Sequence, residues 1–181
     1  MSNVLTAGRL YSIDTRAVVS TSPLWITKIV LVPNAAGDTA TLSSWGNTVH
    51  ATIGQVTGTV SSSSVIGSTG NFTATNVTAL DVVTVTPITG SVLNKGTFLV
   101  LTRDNDNQIT TVGSTLTDES SKVYYITTTT PRDEVILKCP ATTGALIPHE
   151  MNFIENNGKR FFHNLAITSL SASAKLYIYL S

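Results

Sequence analysis

The residues able to do chemistry in this chain are few, and their spacing does not bring them together. The Gly-x-Ser-x-Gly turn that exposes a serine nucleophile is absent. The single thiol, Cys139, shares the parity of Val135 and Leu137 in an alternating run, so it reads as a buried structural cysteine. One cysteine allows no intrachain disulfide. His50, His149 and His163 show neither His-x-His nor His-Glu-x-x-His spacing. His163 reads as a core or interface histidine bonded to backbone. His149 and Glu150, adjacent on a strand, would point to opposite faces, a poor geometry for mutual general-base work. Asp104-x-Asp106 has the alternating carboxylates that open a calcium loop. Its sixth position, however, is Ile109 rather than Gly, and its twelfth is Thr115 rather than Glu. The segment reads as an Asx-rich hairpin tip. Asp133 and Glu134 read as a surface cluster with Arg132 or Lys138. Asp14 and Asp38 have no sequence-local partner, and nothing marks a glycosidase carboxylate pair. Gly158-Lys159 holds only two letters of a phosphate loop. The expectation is no catalytic residue, no metal ligand and no cofactor, hence no enzyme.

Composition points the same way. Lys plus Arg and Asp plus Glu are 11 each, and charged residues are 12% of the 181. A zero balance argues against a nucleic-acid neutraliser and against a polybasic membrane anchor. Ser and Thr number 19 and 30 and take the place of charge on the surface. No apolar stretch reaches transmembrane length; the best, Leu24–Val32, is strand-sized. The start MSNVLTAGRLYSID lacks a basic region followed by an apolar core. No signal peptide is expected, and the acceptor sequences Asn71-Phe-Thr and Asn76-Val-Thr are then idle.

The elements that must position these residues are strands. Period two dominates, with Val, Ile and Thr crowding the runs because β-branched side chains suit a pleated, half-buried surface. In 175–181, Leu176, Ile178 and Leu180 share one face, and Lys175, Tyr177 and Tyr179 the other. Val135, Leu137 and Cys139 alternate against Glu134, Ile136 and Lys138. In 159–170, Phe161, Leu165 and Ile167 are expected on one side, and Arg160, Asn164 and Thr168 on the other. Leu24–Val32 is apolar on both faces and reads as a central strand or as one face of an oligomer contact. Turn signals fall at 33–38, 104–107, 156–158 and 171–173. No helical stripe of two turns is found. About a dozen short strands with regular turns predict an all-β fold, a sandwich or barrel.

Composition shifts predict two modules. From Thr39 to Leu80 there is no Asp, Glu, Lys or Arg. The runs 61–64 and 67–70 read as a flexible connector, and 127–130, followed by Pro131, as a second seam. Between them lie the expected strands 72–76, 80–87, 97–102, 108–112 and 122–128. Residues 1–60 plus 130–181 are read as a discontinuous β-sandwich or jelly-roll-like base, and 61–129 as an inserted small β-barrel-like domain. Val83, Val85, Phe98, Val100, Val123 and Tyr125 are expected to line its core.

Residues 71–131 resemble a small β-module common in structural proteins of tailed bacteriophages. The resemblance rests on Phe72–Ala74, Val83–Thr86, Gly90, Gly96, Phe98–Leu101, Ile109–Thr110 and Tyr125–Thr127. It departs at Asp118–Lys122, where the family has a Gly/Thr-rich turn. The flanks, Ile26–Asp38 with Leu42–Gly46 and 158–180, are similar to small phage-virion sandwiches. The resemblance implies a virion structural protein with no catalytic residue. Three readings follow. One is a capsid decoration or cement protein, made in the host cytoplasm and carried on the capsid exterior. It would be a homo-oligomer, by preference a trimer, bound to the major capsid protein or neighbouring virion proteins, with no nucleic-acid or membrane partner. The second is a tail, baseplate or fibre component in which tyrosines such as Tyr124, Tyr177 and Tyr179 stack on host glycan. The third is a carbohydrate-active enzyme on a β-sandwich.

Overall fold

A computed structural model describes residues 4–6, 9–46, 50–89, 93–113, 115–141, 146–153 and 158–181. The chain is all-β. Its first strands are β1 (Val4–Thr6), β2 (Leu10–Ile13), β3 (Ala17–Ser20), β4 (Leu24–Val32) and β5 (Thr39–Ser44). Then come β6 (Ala51–Ser61), β7 (Val65–Ser68), β8 (Val82–Thr89), β9 (Gly96–Asn105), β10 (Gln108–Thr111) and β11 (Glu119–Thr129). The last are β12 (Arg132–Lys138), β13 (His149–Asn152), β14 (Arg160–Phe162), β15 (Leu165–Leu170) and β16 (Lys175–Leu180). Two compact units result: residues 1–46 with 132–181, and residues 47–131.

The first unit is a sandwich of two antiparallel sheets, β1-β2-β16-β4-β13 with β14 also on β4, and β12-β5-β15-β3. The pairing is nested: β2 with β16, β3 with β15, β4 with β13 and β14, β5 with β12. Early strands therefore meet late ones in reverse order, as in a long hairpin ribbon folded across two sheets. That is the jelly-roll arrangement. Alternation fills the space between the sheets. Ile26, Ile29 and Leu31 of β4 meet Leu42, Leu137, Leu165, Ile167, Leu176 and Ile178 in one fully buried core. The turn at 33–38 is closed by Asp38, whose carboxylate accepts from the amides of Asn34 at 2.7 Å and Ala35 at 2.8 Å. Asn156 and Asn157 of the expected 156–158 turn lie outside the described residues; Gly158 has φ +84°.

The second unit is a closed six-stranded barrel, β10-β7-β6-β11-β8-β9. Closure removes the sheet edges that a charge-poor sequence would otherwise leave open to pairing. Its core holds Val56, Val60, Ile66, Phe72, Val83, Val85, Val100, Ile109, Tyr124 and Ile126.

Several expectations are corrected here. The division falls at 46/47 and 131/132, not at 60/61 and 129/130. The reason is that β6 pairs with β7 and β11 along its length and belongs wholly to the barrel. Residues 61–64 are a tight turn rather than a connector, with Ser62 and Ser63 left-handed at φ 52° and 55°. Residues 127–129 are ladder residues of β11, not a seam. Phe72–Asn76 is a turn, not a strand, in which Asn71 caps the amide of Ala74 at 2.8 Å and Phe72 enters the core. On β11 the inward parity is Tyr124 and Ile126, while Tyr125 is 41% exposed. Residues 159–170 are two strands in different sheets, because the chain leaves β14 at His163 and crosses to begin β15 at Leu165. Phe162 therefore joins Leu165 and Ile167 in the core, and Phe161 faces out.

Candidate functional site

The outer face of the β4 sheet carries the largest gathering of exposed rings next to fixed polar groups among the described residues. Trp25 is 44% exposed, Phe161 36% and Tyr179 38%. Trp25 and Phe161 are register partners across β4 and β14, with ring centroids 5.0 Å apart and planes tilted by 55°. His163 meets Phe161 edge-on at 4.8 Å. The next step along β4 is polar. The Lys28 ammonium donates to Glu150 Oε1 at 2.6 Å, and the Asn152 amide donates to the same oxygen at 3.0 Å. Lys28 also lies over the Tyr179 ring, 5.7 Å from its centroid. The hydrogen bonds from Lys28 and Asn152 hold the Glu150 carboxyl below its usual range.

A bulge places these groups together. Trp25 and Lys28 are three apart, so strict alternation would put them on opposite faces. The β4–β16 register shifts between Tyr179, paired with Lys28, and Leu180, paired with Ile26. Thr27 is the extra residue, and its hydroxyl donates to the Tyr179 carbonyl at 3.2 Å. Ile26 and Ile29, also three apart, are then both fully buried, and Trp25 and Lys28 both face outward.

Backbone pairing holds short β14 to β4, and Arg160 ties it to β12 of the other sheet. Its guanidinium lies over Phe153 and Phe162, 5.9 and 5.6 Å from their centroids, and donates to Glu134 Oε2 at 2.8 Å. Glu134 Oε1 also accepts from the Ser44 hydroxyl at 2.9 Å. The expected partners of Glu134, Arg132 or Lys138, are thus replaced by Arg160, while Asp133 accepts from Ser43 at 2.7 Å.

The other sequence candidates are dispersed. Cys139 is 1% exposed, its thiol is pushed up by burial, and it donates weakly to the Leu31 carbonyl at 3.7 Å. His149 bonds the Lys138 carbonyl through Nδ1 at 2.7 Å, and Glu150 points the other way, to Lys28. Burial raises the Asp104 carboxyl, but bonds from Thr102, Thr110 and Gln108 outweigh it and hold the group low. These bonds are the ties of a hairpin tip. Among the described residues no group of three or more His, Cys, Asp or Glu is placed to hold a metal ion. No helix among them is long and apolar enough to cross a membrane. Of the tyrosines expected to face outward, Tyr124 is fully buried and its hydroxyl donates to Glu119, whereas Tyr179 is exposed. Sequence reasoning missed Trp25, Phe161, Lys28 and Asn152 as a group. Pairing between segments more than a hundred residues apart builds it, and no local signal marks that pairing.

Compared with protein families, with curated proteins and with solved structures, the chain matches none.

Proposed function

We propose that the chain is a non-enzymatic structural protein of a tailed-bacteriophage virion, a decoration or cement protein that self-associates, as a trimer, and binds the major capsid protein on the outside of the shell. The observation that carries this reading is the two-unit plan. The nested sandwich is closed by the β5–β12 pair, and a separately cored barrel is inserted between those two strands. A fold alone assigns no function. The jelly roll is nevertheless an architecture of viral capsid domains, and it fits a base that docks on a shell. The charge-poor, Ser/Thr-rich sequence fits a surface covered by neighbours rather than one kept apart by like charge. The 71–131 resemblance supports the same reading.

The test is immunogold labelling of purified virions, with sedimentation of the pure protein in the presence of empty shells. Label on the capsid exterior and co-sedimentation are expected. Absence from the particle overturns the proposal. Label confined to the tail would support the second reading, a tail, baseplate or fibre component, which the exposed rings Trp25, Phe161 and Tyr179 favour.

A further inference from the structure

We propose that the outer face of the β4 sheet is a carbohydrate-binding site that takes a short run of a neutral glycan along β4. Sugar rings would stack on Trp25 and Phe161, and their hydroxyls would be read by Glu150, Asn152 and Lys28. The inference concerns the pure protein and does not depend on where in a virion it sits.

The core does not require these rings. The inward side of β4 is complete, with Ile26, Ile29 and Leu31 fully buried, so Trp25 and Phe161 are left with apolar surface exposed on the outer face. Trp25 and Phe161 form a cross-strand aromatic pair, and the same face carries hydrogen-bonding groups already fixed by one another. A pyranose has a face of C–H groups, which stacks on an electron-rich ring, and an edge of hydroxyls, each both donor and acceptor. Both halves of that chemistry lie along one strand. Trp25 and Lys28 are three residues apart, about 10 Å, or roughly the reach of a disaccharide. The carboxylate accepts, the amide donates and accepts, and the ammonium donates. Their mutual bonds at 2.6 and 3.0 Å fix them before a ligand arrives.

The same pair argues against a protein occupant. Lys28–Glu150 lies on the same face further along β4, with Lys28 over the Tyr179 ring. A dry protein interface would strip water from both charges, and interface cores are depleted of charge for that reason. A hydroxylated ligand replaces that water instead. Because Lys28 is compensated by Glu150, the pair carries no net charge, and the ligand class is neutral rather than anionic.

The test is isothermal titration of the full chain with cellohexaose, maltohexaose, chitohexaose and mannohexaose at millimolar concentration, with intrinsic tryptophan fluorescence as a second readout. Saturable binding of at least one is expected, with a change in tryptophan emission, since Trp25 is exposed and Trp45 is buried. Trp25→Ala and Phe161→Ala are each expected to weaken binding by about tenfold or more, and Glu150→Ala severalfold. The three variants alter surface positions, and their circular dichroism should match the wild type. Two results overturn the proposal: no binding of any of the four sugars, or binding that Trp25→Ala leaves unchanged. Self-association that Trp25→Ala abolishes, with no sugar bound, would make the face a protein interface and would overturn it too.

Discussion

Phe161 and Phe162 are neighbours in sequence and opposites in energetics. Phe162 is 1% exposed and packs against Phe153 at 6.4 Å, while Phe161 faces out beside Trp25. Phe162→Ala should cost about 3–5 kcal/mol of stability, as large-to-small core changes do. Phe161→Ala should cost less, because Phe161 is already 36% exposed and returns less apolar surface to water. Urea unfolding of the two variants measures the contrast. Glu150 makes a second prediction at this scale. Its folded-state pKa is lowered by Lys28 and Asn152 from an unfolded value of about 4.3. The stabilisation is therefore present in full above that unfolded value and is lost as pH falls through the lower folded one. Carboxyl NMR should show Glu150 titrating below a free glutamate, and Lys28→Met should move it back up. Cys139, buried with a raised pKa, should resist a disulfide reagent in the native protein and react only on unfolding.

At the scale of elements, the barrel depends on close approach between β6, β7 and β11. A Cβ on Gly58 would lie 2.7 Å from the Tyr124 ring and 3.1 Å from the Gly67 carbonyl oxygen. The ring cannot yield easily, because Tyr124 is fully buried and its hydroxyl is held by Glu119. Asn94 ties Glu119 in turn, and also pairs with Thr117, donating to its carbonyl at 2.7 Å and accepting from its amide at 2.8 Å. Gly58→Ala should destabilise the barrel by about 1–3 kcal/mol, the usual cost of overpacking. Thermal unfolding followed at the amides of each unit by NMR would show the loss in residues 47–131. The edge strand β12 is handled differently. It carries Arg132, Asp133, Glu134 and Lys138, charges of the kind that discourage pairing with a second chain at an open edge.

For the whole molecule, the closing pairs of the two units predict that each folds alone. Arg132 is the register partner of Ser44, so removing the barrel leaves two strand ends already opposite one another. Thr128 is the partner of Ala51, and the His50 amide donates to the Thr128 carbonyl at 2.8 Å, so the barrel's own ends are also tied. Replacing residues 47–131 by a short turn should leave a soluble sandwich with cooperative unfolding, and residues 47–131 expressed alone should fold as well. Loop closure opposes this little, since its entropy grows only logarithmically with length. Excision at 61–129 would instead strand β6 on the base without its partners. Circular dichroism and denaturant melts of the three products distinguish these outcomes: the first two are expected to unfold cooperatively, and the third to be unstable.

The sequence alone determined the secondary-structure class, the inward parity of β12 and β16, the turns after β4 and β9, the burial of Cys139 and the presence of two modules. These are local properties: alternation along a strand and turn chemistry within a few residues carry them. Tertiary pairing decided the rest. Whether β6 belonged to base or barrel depended on its partners β7 and β11, not on its own letters. The crossing between β14 and β15 reversed the expected side of Phe161. The parity of β11, which buries Tyr124 and exposes Tyr125, followed from barrel closure. The candidate site has the same origin. Thr27 reads as an ordinary strand residue until β16 is laid beside β4, and only then does the bulge turn Trp25 and Lys28 to one face. β13 and β14, more than a hundred residues later in the chain, add Glu150, Asn152 and Phe161. A bulge is a property of two strands together, so one strand read by itself cannot reveal it.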